Sequence, residues 1–478
     1  MEPLYLNETY INGLLESKSS EAEQMRILEK ARQMKGLTPQ ETAALLTMDS
    51  ATGWKQAFEI AGEIKSHIYG DRVVMFAPLY ISDYCVNECV YCGFSKHQMK
   101  DIHKRRKLSM EEIRQEVELL ERMGHKRLAL EAGEDPINCP LSYVLEAIQT
   151  IYSMKTENGE IRRVNVNIAA LDVDGYKQLK QANIGTYILF QETYNRATYR
   201  AMHLSGPKRD FEFHSRAHDR AMEAGLDDVG GGVLFGLHDP FYEVLGMILH
   251  NQHLEQNFGV GFHTLSAPRV RSFALFPNAV DDEIFLRLIA VIRMAVPFTG
   301  IIISTRENPE MRRRLIKIGV SQISGGSSVE VGGYFKKSKN INKNNANSEN
   351  NEENDTKYNH KQKLSQFQLE DGRTPSDILM WLMEEDLIPS FCTACYRKSR
   401  TGDRFMKLAK SGDIKDVCLP NALMTLAEYA MDYGTDELKK KAFDLIKRKV
   451  DKMEENSIRT QLDRNIEKII AGERDLYV

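Results

Sequence analysis

Six of the seven cysteines fall into two groups of three, and their spacing is the chemistry-bearing feature of the chain. The first group reads Cys85-Val-Asn-Glu-Cys89-Val-Tyr-Cys92, a C-x3-C-x2-C run with an aromatic residue immediately before its last thiol. Three thiolates so placed suit a [4Fe–4S] cluster whose fourth iron stays open to an outside ligand. Structural zinc is the rival; it wants a closed shell of four ligands, and the nearest histidine, His97, would have to supply the fourth. The second group reads Cys392-Thr-Ala-Cys395, then 22 residues, then Cys418. C-x2-C is a common zinc half-site, but no second C-x2-C or paired histidine follows it, so an auxiliary iron–sulfur cluster is favoured. Cys139, in INCP, stands alone and reads as a buried or incidental thiol.

An odd count in two clusters is poor material for an extracellular disulfide framework and points to metal binding in a reducing compartment. Hydrophobic residues make up 42% and charged residues 28% of the chain, with a formal net charge of −4. These are ordinary values for a globular protein and carry no electrostatic footprint for nucleic acid. There is no run of eighteen apolar residues, and the start, MEPLYLNETYINGLLESKSSEAE, is acidic and lacks a signal peptide's apolar region. A cytoplasmic location is the expectation.

The elements that must position the cysteines come next. Residues 1–72 read as a helical extension: in LTPQETAALL, Thr38 can cap, Pro39 suits the first helical position and Glu41 completes a capping box. From 73 to 335 the chain alternates eight β-branched or aromatic runs (VVMFAPLYI, RLALEAG, RVNVNIAA, TYILFQE, DVGGGVLFGL, FHTLSAPRV, GIIISTR, QISGGSS) with helical patterns. Between the first two runs, Ser109 can cap a helix whose Ile113, Val117, Leu120 and Met123 share a face, and Gly124 suits its left-handed stop. Eight strand–helix repeats over about 260 residues predict a closed (β/α)8 barrel, whose active-site groups sit on the loops leaving the strands' C-terminal ends. The first cysteine group directly follows the first strand. Residues 336–364, including the Asn-rich tract at 340–363, lack apolar periodicity and read as a disordered insert. Residues 365–478 form a mainly helical C-terminal subdomain that carries the second cysteine group and is expected to cap the open end of the barrel.

The cysteine spacing, the aromatic and the strand-end placement resemble the radical SAM superfamily, in which S-adenosylmethionine (SAM) chelates the open iron. That resemblance implies further cofactor contacts. LEAGEDP resembles a glycine-glycine-glutamate motif with Ala132 in place of the first glycine, and Glu134 would accept from the methionyl amine; an ordinary strand-end turn is the other reading. Glu192 in FQETY and Arg216 downstream stand where related enzymes place groups for SAM, though each could equally be a surface ion-pair residue. The run Gly230-Gly231-Gly232 either lets backbone approach the cofactor or permits tight strand packing.

Across nearly the whole chain, GEDP, QETY, GLHD, HTLSAPR, STRE and PSFCTACYRKSRTGDRF with the distant Cys418 are similar to the HydG family of tyrosine lyases of [FeFe]-hydrogenase maturation. The Asn-rich insert alone falls outside the pattern. The thiazole-synthesis tyrosine lyases, ThiH, resemble the barrel equally but lack the C-terminal triad. The HydG resemblance implies that the Cys85/Cys89/Cys92 cluster reduces SAM, and that the resulting 5′-deoxyadenosyl radical takes hydrogen from tyrosine's amino group. Cα–Cβ cleavage then gives p-cresol and dehydroglycine, which breaks down at the C-terminal cluster into carbon monoxide and cyanide as ligands of iron. It also implies an extra iron there, bridged through a free cysteine, with His263 nearby; a lone histidine is as readily structural. For the tyrosine carboxylate the expected ligands are Arg306 and Ser304 of STRE, because a guanidinium grips a carboxylate with two hydrogen bonds. Arg269 and Arg271 of PRVR are rivals, and any of the three could only pair with a neighbouring acid. Implied partners are an electron donor such as ferredoxin or flavodoxin, a second radical SAM maturase and a GTPase scaffold. The alternatives are a ThiH-like enzyme that stops at dehydroglycine, and a non-catalytic iron–sulfur or zinc scaffold.

Overall fold

Eight short parallel strands close on themselves: β1 Arg72–Ser82, β2 Arg127–Ala132, β3 Arg163–Asn167, β4 Tyr187–Ile188, β5 Val229–Gly232, β6 Thr264–Ser266, β7 Gly300–Ile303 and β8 Gln322–Ser324. Each pairs with the next, and β1 joins β8 to β2, so the sheet is the expected barrel. The computed structural model describes residues 2–96, 105–157, 159–270, 276–346, 366–398 and 400–478. Strand periodicity decides what faces inward. Phe76, Pro78 and Tyr80 of β1 and Ala129 and Glu131 of β2 look into the barrel. Leu79, Ile81, Leu128 and Leu130, one residue out of phase, are fully buried on the side where the helices pack.

The helices start and stop where their capping residues dictate. Ser109 and Glu112 form a reciprocal capping box on Met110–Arg122, and Gly124 ends that helix at φ +87°. Thr38 and Glu41 do the same for Pro39–Leu46. The amino-terminal helices end in Ala51–Tyr69, which leads directly into β1. Glycine in β5 answers a packing demand: a Cβ on Gly232 would lie 2.4 Å from the Ser266 carbonyl, and one on Gly231 2.8 Å from the Phe262 ring. Among the described residues no helix is long and apolar enough to cross a membrane.

Two features depart from the expectations. A helix spans Gly333–Ala346, so the segment expected to be disordered from 336 begins as helix. Its start is anchored because the buried Glu116 carboxylate accepts from the backbone N–H groups of Tyr334 (3.2 Å) and Phe335 (2.7 Å). The rest of that insert, from 347 to 364, lies outside the described residues. A ninth strand, β9 Ile388–Ser390, was not foreseen; it pairs in parallel with Arg72–Val74, the start of β1, and stops where β8 takes over the same edge at Val74. The chain then turns off beneath the barrel. The C-terminal cysteines therefore sit at the N-terminal ends of the strands and do not cap the open end. Among the described residues of this C-terminal region, 366–370 reach the upper rim, where Gln366, Phe367, Gln368 and Glu370 border the cavity. Arg312 and Asp371, both fully buried, form an ion pair that fastens this segment to the helix Pro309–Ile318.

Candidate active site

β1 ends at Ser82, and the loop that follows is pinned at both sides. Asp83 accepts from the Arg106 N–H at 2.6 Å, and the segment 202–205 hydrogen-bonds the cysteine loop through Val90 N–H to Met202 O (3.0 Å) and Glu88 N–H to Ser205 O (3.1 Å). Asn87 ties three pieces together. Its amide donates to Glu134 at 2.6 Å, its carbonyl accepts from the Lys208 N–H at 2.9 Å, and the same amide lies 3.7 Å from Cys85 Sγ. Two glycines make this close packing possible: a Cβ on Gly133 would stand 2.4 Å from the Tyr84 carbonyl, and one on Gly206 2.3 Å from Asn87 Oδ1. The three thiols thus line one wall of a cavity of about 660 Å³ at the C-terminal ends of the strands. Burial pushes Cys89 up to about 12 and raises Cys92, so a metal must displace thiol protons to bind here. Tyr91, the aromatic before the last cysteine, borders the cavity and shares a 2.8 Å hydrogen bond with His203.

Across the cavity the charged groups sort into paired and unpaired. Glu192 lies at φ +67°, a left-handed conformation that a side-chain-bearing residue adopts only when held there, and it pairs with Lys208 at 2.7 Å. Burial opposes charge on Lys208, but the adjacent Glu192 carboxylate outweighs it and keeps the ammonium charged. Lys208 was not singled out in the sequence, because a lysine in GPKRD looks like a solvated turn. Arg306 borders the cavity with Ser304, stacks at 3.4 Å over the Phe367 ring, and has no carboxylate partner among the described residues.

The rival arginines go elsewhere. Arg269 spends its guanidinium on Glu307 (2.9 and 2.6 Å), Asp282 (2.6 Å) and the Val280 carbonyl, clamping the loop that presents Arg306. Arg271 lies outside the described residues, as does His97. Arg216 is a correction: at the junction of two short helices it keeps 43% of its side chain exposed, has Glu212 at 4.0 Å as its one ion-pair partner among the described residues, and does not border the cavity. Its neighbours Ala217 and His218 take the buried face of the turn, which leaves Arg216 outward.

At the opposite end of the barrel, Cys392 and Cys395 border a small second cavity with His263, Arg72, Arg127 and Arg400. Cys418 accepts a hydrogen bond from Cys395, which lowers its pKa despite burial, helped by Arg72 and Arg400; Cys395 as donor is raised. The Nε atoms of Arg72, Arg127 and Arg400 are buried with no hydrogen-bond partner. Other nitrogens of these groups are used, Arg127 donating to the Cys392 carbonyl and Arg400 to the Val478 carbonyl, but the unmatched Nε–H groups and the three positive charges suit an anionic occupant, and an iron–sulfur core with thiolate ligands would fit that lining. His263 immediately precedes β6, packs 4.7 Å from the Phe405 ring, and is held neutral by burial, the state in which imidazole binds metal. Among the described residues no three His, Cys, Asp or Glu groups converge on a single-ion site.

Comparison with known proteins agrees with this layout. Residues 79–248 match the family model described as the radical SAM superfamily, and residues 269–388 match the biotin and thiamin synthesis associated domain. The chain is 30% identical over 311 residues to the 2-iminoacetate synthase of Escherichia coli, covering 64% of this chain and 80% of that protein. A crystal structure of HydG, described as a maturase of the [FeFe]-hydrogenase, superposes with a TM-score of 0.92 at 49% identity, covering 99% of this chain and all of the other. The FeFe-hydrogenase maturase HydG of Carboxydothermus hydrogenoformans gives 0.78 at 37% identity over 94% of each chain.

Proposed function

The chain belongs to the HydG family of radical SAM enzymes, and from that premise we propose that it is a tyrosine lyase. It cuts the tyrosine Cα–Cβ bond to give p-cresol and dehydroglycine, and it forms carbon monoxide and cyanide, as ligands of iron, beside its C-terminal cysteines. One observation carries the reading: a single barrel holds two thiol triads at opposite ends, the upper one sharing its cavity with the unpaired Arg306.

Cys85, Cys89 and Cys92 would hold a [4Fe–4S] cluster and Glu134 would receive the amino group of SAM, a pair that supplies a 5′-deoxyadenosyl radical when bound. Asn87 fixes the Glu134 carboxylate beside the cysteine loop, and Lys208 does the same for Glu192. Arg306 and Ser304 hold the tyrosine carboxylate, and the Arg269–Glu307 clamp keeps that loop in place. The barrel cavity, once filled by cofactor and substrate, would limit water and fix which substrate hydrogen faces the radical, as selective abstraction requires. Below, Arg72, Arg127 and Arg400 would attract the anionic fragment to Cys392, Cys395 and Cys418, with His263 beside an additional iron. Ferredoxin or flavodoxin would supply electrons, and a second radical SAM maturase and a GTPase scaffold would receive the product.

The test is anaerobic turnover of the reconstituted protein with SAM, dithionite and tyrosine. Release of p-cresol, cyanide and carbon monoxide is expected. Release of p-cresol without carbon monoxide would instead make it a 2-iminoacetate synthase like its Escherichia coli relative, and intact clusters with no SAM cleavage would leave only a metal scaffold.

A further inference from the structure

Glu131 is an ionisable side chain in the upper cavity that the proposed chemistry leaves without a task. It sits on β2 between Tyr80 of β1 and Asn167 of β3, its partners in register, and its side chain shares the inward row with theirs. Asn167 donates to one carboxylate oxygen, Oε2, at 2.7 Å. No other hydrogen bond or ion pair holds the group among the described residues. The charged and titratable groups facing it are Arg306 from the β7 end and Tyr80 from β1, and the Tyr80 hydroxyl is itself committed to Gln366 at 2.8 Å. Of the other acids bordering the cavity, Glu134 is engaged by Asn87 and Glu192 by Lys208, while Glu370 lies exposed at the rim.

An unpaired guanidinium and an unpaired carboxylate that act on each other across one cavity match the two ends of an α-amino acid. We propose that Glu131 receives the substrate's α-amino group while Arg306 holds its carboxylate, and that Glu131 takes one proton from the ammonium form. The inference rests on the amino-acid substrate proposed above. The step is a proton transfer: an N–H bond of R–NH3⁺ breaks, an O–H bond on Glu131 forms, and R–NH2 and a neutral carboxylic acid result with no change in oxidation state. Removing hydrogen from an amine needs the neutral amine, because an ammonium has no lone pair to stabilise the nitrogen radical. Burial raises Glu131 to about 8, close to the range of an amino group, so the proton is shared on nearly equal terms.

The experiment compares wild type with Glu131→Gln in the reconstituted holoenzyme, in two arms. The first is calorimetric binding of tyrosine and of 3-(4-hydroxyphenyl)propionate, which lacks the amino group. Wild type should prefer tyrosine, and Glu131→Gln should lose at least about tenfold of that preference, the size of one charge-assisted hydrogen bond. The second is p-cresol formation against pH. Wild-type kcat/KM for tyrosine should rise as pH increases through about 8, where Glu131 gives up its proton in the free enzyme. In Glu131→Gln the rate should fall roughly 100-fold or more and that limb should vanish. Unchanged discrimination and an unchanged pH profile in Glu131→Gln would overturn the assignment even if wild type makes p-cresol. A wild type that makes no p-cresol but loses amino-group preference on mutation would sink the lyase reading and keep the Glu131 site. A wild type that does not distinguish the two ligands would overturn the Glu131 site whatever it makes.

Discussion

Cys85 and Cys392 stand at opposite ends of one strand. Cys85 follows Ser82, the last residue of β1, while Cys392 follows β9, whose Ile388 pairs with Arg72, the first residue of β1. β9 ends with Ser390 opposite Val74, and eight residue steps of β1 remain from Val74 to Ser82, so strand length separates the two by roughly 25 Å. Metal centres held by two thiol groups so far apart on a rigid element could not share one substrate position, and on the proposed function their losses should separate in experiment.

The double variant Cys392→Ala/Cys395→Ala should therefore keep p-cresol formation near the wild-type rate and lose carbon monoxide. Gas-phase detection of carbon monoxide beside chromatographic p-cresol checks this. Joint loss of both products, with iron at the first site intact by spectroscopy, would refute the division of labour.

Arg306→Lys keeps the charge but loses the planar fork. Tyrosine KM should rise about 10–100-fold, the equivalent of one or two charge-assisted hydrogen bonds, while SAM cleavage without tyrosine stays as it was. Steady-state kinetics with both readouts distinguishes this from misfolding; a KM within twofold of wild type would place the carboxylate elsewhere.

Glu192 lies at φ +67° beside Lys208. Replacing it by Gly relieves backbone strain, whereas Ala keeps the strain and loses the ion pair, so Glu192→Gly should be the more stable variant by roughly 1 kcal/mol. Thermal melting of the two variants measures the difference. Equal stability would mean that the conformation relaxes once the carboxylate is gone.

Asp371 pairs with Arg312 in full burial and with Arg373 at 2.7 Å. Burial alone would raise its pKa, but the bonds from Arg373 and Arg312 hold it below the usual aspartate value. A group depressed on folding contributes stability above its unfolded pKa of about 4, and that contribution is lost as pH falls through the lower folded value. Asp371→Asn should cost roughly 3–5 kcal/mol at neutral pH, because Arg312 is left buried without its counter-charge, and should flatten the loss of stability below about pH 4. Denaturation followed across pH 3–7 tests both; parallel curves for the two proteins would contradict the assignment.

Much of this was legible in the residues because local rules govern it. The eight strands are set by short apolar runs, the helix starts by Thr38/Glu41 and Ser109/Glu112, and both thiol groups by spacing along the chain. Long-range placement is another matter. Nothing in PSFCTAC says that Ile388 will pair with Arg72, and that pairing is what puts the second cysteine group beneath the barrel. Nor does sequence distinguish Arg306, which has no carboxylate partner among the described residues, from Arg269, spent on Glu307, since both are arginines at strand ends and only packing chooses their partners. Lys208 and Glu131 were missed for the same reason. A lysine in a turn and a glutamate in a strand acquire chemical meaning only when burial removes water and leaves one of them paired and the other not. The sequence by itself determined which elements form and where the thiols lie along them. The tertiary structure alone decided which end of the barrel each reaches and which charges are left over, because those depend on contacts between residues distant in the chain, such as Arg72 with Ile388 and Arg269 with Glu307.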